Sequence, residues 1–415
     1  MSSAARPNVI FIIMDDLAFG DLSCHGNPHL QTPHLDALRA GGISLTGTCS
    51  GPVCTPARAS VMTGRYAYRT RAIDTYNGRS TMDPGERTLA QVLAEAGYAT
   101  CISGKWHLGD NYPSRAMDLG FQEALVHNGG GLRQPGNYGF WEQQDSYTDP
   151  LLSHNGHLVK RQGYCTDIFF EHAMAYITEH RAAPFFVYLA TNAPHTPLDV
   201  DEAWYGPLMA KGLPEKLARV YGMVANIDWN VGRLMAKLRD LKLDDNTLVV
   251  YTSDHGPCGS ASIDGKPRFN SGLRSTKGTP YQGGVKVPSF WHWPAELPAG
   301  RVLDQPTGPI DVLPTIAAAT GAKVPNDRQI DGVNLLPLMT GATPPADWPE
   351  RTLFLQWHRG NVPVPWTGCL VRTQRWKLIN GAELYDLQAD PGESTNVATQ
   401  NPAVVAELRQ RYEAW

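Results

Sequence analysis

Four short apolar runs, Val9–Met14, Ala99–Ser103, Phe185–Ala190 and Thr247–Thr252, constrain this chain most. Each is continuous rather than alternating and is bounded by polar or turn-forming residues, the pattern of a strand covered on both faces. Amphipathic segments of helical period lie between them, over Thr32–Ala40, Leu89–Ala96, Asp167–His180 and the long stretch Lys216–Leu241. Strands alternating with helices predict an α/β fold with a large, mostly parallel sheet sandwiched by helices. Polar chemistry follows every run: Asp15 and Asp16 the first, Lys105 and His107 the second, His195 the third, Asp254 and His255 the fourth. Ligands of open α/β sheets bind beyond the carboxyl ends of the strands, so these residues are expected to converge.

The pattern changes after about Gly341. A Pro-rich connector, Thr343–Pro349, leads into strand-like pieces at Thr352–Trp357, Cys369–Thr373 and Trp376–Ile379, and Pro402–Trp415 reads as a closing amphipathic helix. The expected organisation is a catalytic α/β domain over 1–342 and a smaller C-terminal antiparallel α+β unit over 343–415.

A net charge of -4 over 415 residues leaves no basic field for nucleic acid, so an anionic substrate needs local positive charge. Seven cysteines without CxxC or Cys/His spacing argue against a disulfide framework and against a zinc site. The first residues lack the layout of a signal peptide, and Val9–Met14 is too short to span a bilayer. These features predict a cytoplasmic protein with no membrane partner; a chain whose leader had been removed, periplasmic or secreted, would read the same. Oligomeric state has no signature in the sequence.

Cys54-Thr55-Pro56-Ala57-Arg58 puts a thiol where a helix begins. With Thr55 as N-cap and Pro56 as first helical residue, Cys54 would face unpaired N–H groups and a positive dipole end, a place suited to an anion. The residues themselves allow a low-pKa thiol nucleophile, a redox centre or a buried structural cysteine. Asp15-Asp16 and Asp254-His255 supply three carboxylates and an imidazole, a donor set suited to calcium or magnesium, although an Asp pair after a strand also serves as a cap or Asx turn.

The cysteine run, extended through Ala59-Ser60-Val61-Met62-Thr63-Gly64-Arg65, resembles the C-x-P-x-R signature of type I sulfatases, within the alkaline phosphatase-like superfamily. Gly104-Lys105-Trp106-His107-Leu108-Gly109, Ala193-Pro194-His195 and Lys277-Gly278-Thr279-Pro280-Tyr281-Gln282-Gly283-Gly284 resemble further family segments in the family's order, with Gln282 where an acid is usual. Ile310–Thr315 and the closing pieces Trp376–Ile379, Glu383–Leu387 and Asp390–Glu393 extend the likeness over nearly the whole chain.

The resemblance implies that Cys54 is oxidised by maturation machinery to formylglycine, whose hydrate attacks sulfur. It implies calcium, with magnesium possible, held by Asp15, Asp16, residue 54, Asp254 and His255, the last being the least natural calcium ligand. It also implies that Arg58 orders the nucleophile and carboxylates, that Lys105 and Lys277 hold sulfate, that His107 serves as base, and that His195 protonates the leaving alcohol. Arg274 competes with Lys277 for its role.

The expected activity is hydrolysis of a sulfate monoester by S–O cleavage, on a sulfated small molecule or saccharide. Phosphonate monoester or phosphodiester hydrolysis is the alternative within the superfamily, and a non-catalytic binder of sulfated ligands is a third class. Which ester is cleaved would depend on loops around Tyr76, Asn77 and Arg79, around Asn137 and Trp141, and at Trp357-His358-Arg359.

Overall fold

A computed structural model describes residues 6–415 apart from 77, 139, 141–145, 260, 261, 264, 342–344, 346, 347 and 361. Asn77 and Trp141, named above as specificity candidates, and much of the 343–349 connector lie outside the described residues.

The strands are β1 (Asn8–Met14), β2 (Ile43–Leu45), β3 (Ala99–Lys105), β4 (Glu123–His127), β5 (Leu151–His154), β6 (His157–Lys160), β7 (Phe185–Ala190), β8 (Thr247–Ser253), β9 (Ser262–Ile263), β10 (Lys266–Pro267), β11 (Ser289–His292), β12 (Arg301–Leu303), β13 (Leu353–Gln356), β14 (Cys369–Arg372), β15 (Trp376–Ile379) and β16 (Glu383–Asp386). Ten form one sheet in the order β12-β2-β11-β8-β1-β7-β3-β4-β5-β6. Its centre, β8-β1-β7-β3-β4, is parallel throughout, and antiparallel pairings appear only toward the edges. This is the α/β sheet expected from the sequence.

Continuous apolar runs arise because both faces of the sheet are covered. On β1, Ile10, Ile12 and Met14 join a core with the helices Pro33–Ala40, Cys165–Glu179 and Glu215–Asp240. Val9, Phe11 and Ile13 join the opposite core with Leu89–Glu95, Val312–Thr320 and the helix Cys54–Thr63. At about 25 cal/mol per Å² of apolar surface, these two cores dominate the favourable side of folding.

The sheet β13-β14-β15-β16 is antiparallel, and the helix Pro402–Ala414 packs Leu408 against Val371, Leu378 and Leu384. Its other face shares a core with Cys49, Val285 and Ile310, so it docks beside the start of the Cys54 helix and the segment after Lys277. All seven cysteines are free, and no described helix is long and apolar enough to cross a membrane.

Candidate active site

The helix Cys54–Thr63 begins two residues earlier than the sequence suggests. Val53, with extended backbone, is its N-cap, and no side chain caps it. Thr55 is instead inside the first turn, where its hydroxyl donates to the His107 carbonyl at 3.1 Å. A tertiary acceptor has taken the hydroxyl from the local cap. Cys54 therefore occupies the first helical position and still faces the open N–H groups of that turn.

The sheet delivers the remaining residues as its order requires. Asp254 and Asp15 lie just past the adjacent strands β8 and β1, with the Asp254 N–H bonded to Met14 O at 3.0 Å and the Asp15 N–H to Ala193 O at 3.3 Å. Lys105 ends β3 itself. Asp16 and His107 have φ of 68° and 56°, left-handed backbone that few non-glycine residues adopt and that is characteristic of functional sites.

Around Cys54 Sγ lie His255 Nε2 at 3.2 Å, Lys277 Nζ at 3.5 Å and Asp15 Oδ1 at 3.6 Å. Lys105 Nζ pairs with Asp15 Oδ2 and donates to Gly130 O, while Lys277 Nζ pairs with Asp16 Oδ1 at 2.8 Å. Arg58 Nε donates to Asp254 Oδ2 at 3.0 Å, and its Nη1 to Lys105 O at 3.1 Å. His195 Nε2 stands 3.6 Å from Asp16 Oδ2, and its Nδ1 donates to Thr196 O at 2.7 Å. His107 uses Nε2 on Thr75 O at 3.1 Å. All ten positions singled out in the sequence thus lie in one connected cluster; nine are buried, and Lys277 is partly so.

Burial and Asp15 push the Cys54 thiol up, but Lys105, Lys277 and His255 outweigh them and hold it well below the ordinary thiol range. Burial also raises Asp15, yet Lys105, His195, Lys277 and Arg58 bring it well below the usual carboxylate range. Asp254 is pushed up to about 6 by burial and by Asp15. Burial and the Lys105 ammonium lower His107, which favours the neutral imidazole. These are the signs of a site crowded with opposed charges.

The carboxylates of the donor set fit a hard divalent cation, and the Cys54 sulfur and His255 imidazole are its softer members. One atom each of Asp15, Cys54, Asp254 and His255 lies within 4.8 Å of the others, and Asp15, Asp16 and His195 form an overlapping group. Asp16 Oδ2 and Asp254 Oδ1 are buried and make no hydrogen bond among the described residues; only His195 Nε2 at 3.6 Å and His255 Nε2 at 3.2 Å face them, so a shared cation would complete their pairing.

Three further features support the site through contacts that no motif marks, two of them in loops already expected to set specificity, the Gly-rich run near Asn137 and the Tyr76 and Trp357–Arg359 loops. Arg268 pairs with Asp21 and donates to Asp16 O at 2.9 Å, fixing the unusual Asp16 backbone; nothing local marks it. Gly130 and Gly131 lie against the two histidines: a Cβ would stand 2.9 Å from His107 Cε1 at the first and 2.9 Å from His195 Cε1 at the second. The Gly129-Gly130-Gly131 run was the available signal. Asp74, buried, receives Trp357 Nε1 at 3.3 Å and Arg359 Nη1 at 3.2 Å, and Arg359 stacks over Tyr76 at 4.5 Å. The Tyr76 and Trp357–Arg359 loops therefore meet next to Thr75 and His107. Arg274 is engaged elsewhere, on Tyr385 Oη at 2.7 Å and over the Tyr281 ring at 4.1 Å, leaving Lys277 at the centre.

The sulfatase family model matches residues 7–322, and the C-terminal model described for N-sulphoglucosamine sulphohydrolase matches 276–414. The chain belongs to the sulfatase family. It is a sulfatase of the alkaline phosphatase-like superfamily, with relatives that match along most of its length. The N-acetylgalactosamine-6-sulfatase of Sus scrofa is 31% identical over 420 residues, covering 95% of this chain and 76% of that protein. The N-acetylgalactosamine-6-O-sulfatase of Bacteroides thetaiotaomicron is 28% identical, covering 99% and 93%. Among solved structures, Ps i-CgsB in complex with k-i-k-neocarrahexaose superposes with a TM-score of 0.86 at 29% identity, covering 99% of this sulfatase and 92% of that chain. A phosphonate monoester hydrolase from Silicibacter pomeroyi, 20% identical with a TM-score of 0.70, shares the fold.

Proposed function

We propose that this sulfatase cleaves the S–O bond of a sulfate monoester on a saccharide, with a formylglycine derived from Cys54 as nucleophile and calcium, or alternatively magnesium, as its metal. The observation that carries the reading is the set of opposed charges within 3.6 Å of Cys54 Sγ: His255, Lys277 and Asp15, with Lys105 paired to Asp15. A sulfated saccharide is the favoured substrate because a similar structure holds a carrageenan-type oligosaccharide and the named relatives act on a sulfated sugar.

Asp15, Asp16, Asp254, residue 54 and His255 would hold the cation, which supplies charge neutralisation at the sulfuryl oxygens and lowers the pKa of the attacking hydroxyl. The formylglycine hydrate supplies that hydroxyl, and maturation machinery is therefore a required partner. Lys105 and Lys277 would offer two ammonium groups to the sulfate oxygens, stabilising charge that grows as the ester bond breaks. His107, favoured as neutral, is ready to accept a proton beside residue 54. His195 commits Nδ1 to Thr196 O, which leaves Nε2 as the ring nitrogen to serve the departing alcohol. Tyr76, Trp357 and Arg359 form an aromatic and cationic rim for the sugar.

The test is sulfate release from sulfated galactose, N-acetylgalactosamine, glucosamine and carrageenan fragments by the wild type and the Cys54→Ala variant, made in a host able to mature the cysteine. Turnover of at least one saccharide by the wild type alone is expected. Equal turnover by Cys54→Ala contradicts the nucleophile, and turnover of none of these substrates by the matured wild type contradicts the saccharide.

A further inference from the structure

A second cluster of metal-seeking side chains lies at the other end of the central strands. Glu123 opens β4 and is paired with Cys101, whereas Lys105 is paired with His127 at the strand's end. Four residue steps at about 3.3 Å each separate the two levels. His154 closes β5, and His172 projects from the helix Cys165–Glu179. Both imidazoles aim Nε2 at the same oxygen, Glu123 Oε1, at 2.5 Å from His154 and 3.1 Å from His172. Their rings are nearly perpendicular, at 87°, with centroids 5.6 Å apart, and one donor atom from each of the three residues lies within 4.8 Å of the others.

We propose that Glu123, His154 and His172 form a zinc site, distinct from the carboxylate-rich centre, that pins the β5–β6 hairpin to the helix Cys165–Glu179. Two imidazole nitrogens and one carboxylate oxygen with room for water are a known zinc donor set, and imidazole selects zinc over calcium. Side-chain exposures of 25%, 32% and 14% leave the cluster open to an ion from solvent. The surroundings orient the ligands: His172 Nδ1 lies 3.2 Å from Ser103 Oγ, and Asn155 Nδ2 donates to Glu123 Oε2 at 2.8 Å. His157 is paired with His154 across the Asn155-Gly156 turn, so its side chain lies on the same face of the hairpin; it stands outside the three-residue group and would have to turn inward to become a fourth ligand. Arg161 opposes the site. Its Nη2 stands 3.4 Å from His154 Nδ1 and favours the tautomer in which Nε2 carries the proton, so zinc must displace that contact.

The test is zinc stoichiometry by elemental analysis after equilibrium dialysis, together with thermal melts, on the calcium-loaded full chain. The wild type should take up one zinc ion that raises Tm. His154→Ala/His172→Ala should lose that ion and the Tm rise, His157→Ala should bind several-fold more weakly, and Arg161→Ala several-fold more tightly. Equal zinc uptake and Tm rise in the double variant, or no uptake by the wild type, overturns the proposal. X-ray absorption at the zinc edge of the wild type decides the matter even if the double variant fails to fold: nitrogen and oxygen ligation with imidazole scattering is expected, and sulfur ligation, which would place the ion at Cys54, contradicts it.

Discussion

Arg58 has no exposure and serves two elements at once, holding Asp254 at the end of β8 and the Lys105 carbonyl at the end of β3. Removing it leaves Asp254 buried beside Asp15, with only His255 to balance its charge. Arg58→Ala should therefore lose about 3–5 kcal/mol of stability in denaturant melts. Arg58→Lys should recover only part of this, because an ammonium cannot make the forked contact, and sulfate release should remain low in both. A different residue controls the acid limb. His25 stacks on Phe19 at 3.8 Å, and burial lowers its pKa to about 4; burial lowers His127 to about 3. A histidine depressed in the folded state is fully stabilising above its unfolded pKa of about 6.5 and loses that contribution as pH falls toward the folded value. Stability should decline from pH 6.5 to 4, with His25 accounting for as much as about 3 kcal/mol at the lower end. His25→Asn should lessen the slope of that limb in urea melts recorded across this range, with the His127 part remaining, and an unchanged slope would exclude His25 as a source.

At the scale of elements, the site depends on contacts between segments distant in sequence. The loop at Gly130 and Gly131 rests on His107 and His195, so a methyl group at residue 131 must displace one imidazole. Gly131→Ala should lower kcat by about tenfold or more through misplacement of that ring, with only a small change in Tm. The C-terminal sheet holds the other side of the site. Glu393 is buried, pairs with Lys377 at 2.7 Å and accepts from the Gln282 N–H at 2.6 Å, in the segment that follows Lys277. Glu393→Ala should cost about 3–5 kcal/mol and lower turnover, and the double change Lys377→Met/Glu393→Gln should restore much of the stability.

The strands and most of the helices could be read because their apolar periods are set by burial on two faces. Phe185–Ala190 and Trp376–Ile379 match to the residue. The start of the Cys54 helix was misread because Thr55 obeys local capping rules only when no tertiary acceptor competes, and here His107 O does. Motif residues in the site were legible because each sits at a strand or helix end. Asp74 and Arg268 were not, since each acts on a segment far away in sequence and leaves no periodic trace, and the Asp390–Glu393 piece gave no sign that Glu393 reaches the Gln282 N–H.

Across the whole molecule, the parallel strands bring three carboxylates together and the flanking segments bring the cations that balance them. Calcium should therefore act on stability as well as on turnover. Chelation should lower Tm and abolish sulfate release, and calcium at about 100 times its Kd should stabilise the fold by about 2.7 kcal/mol, read as a calcium-dependent Tm. Replacing both Asp15 and Asp254 with Asn should remove that dependence.

The central claim, that Cys54 is a precursor and not the working group, is tested most directly by mass spectrometry of the Cys54 peptide from fractions of known specific activity. Turnover should rise in proportion to the fraction of peptide carrying the aldehyde and should extrapolate to none when all of it is thiol. Full activity in protein whose Cys54 is entirely unmodified would contradict the account.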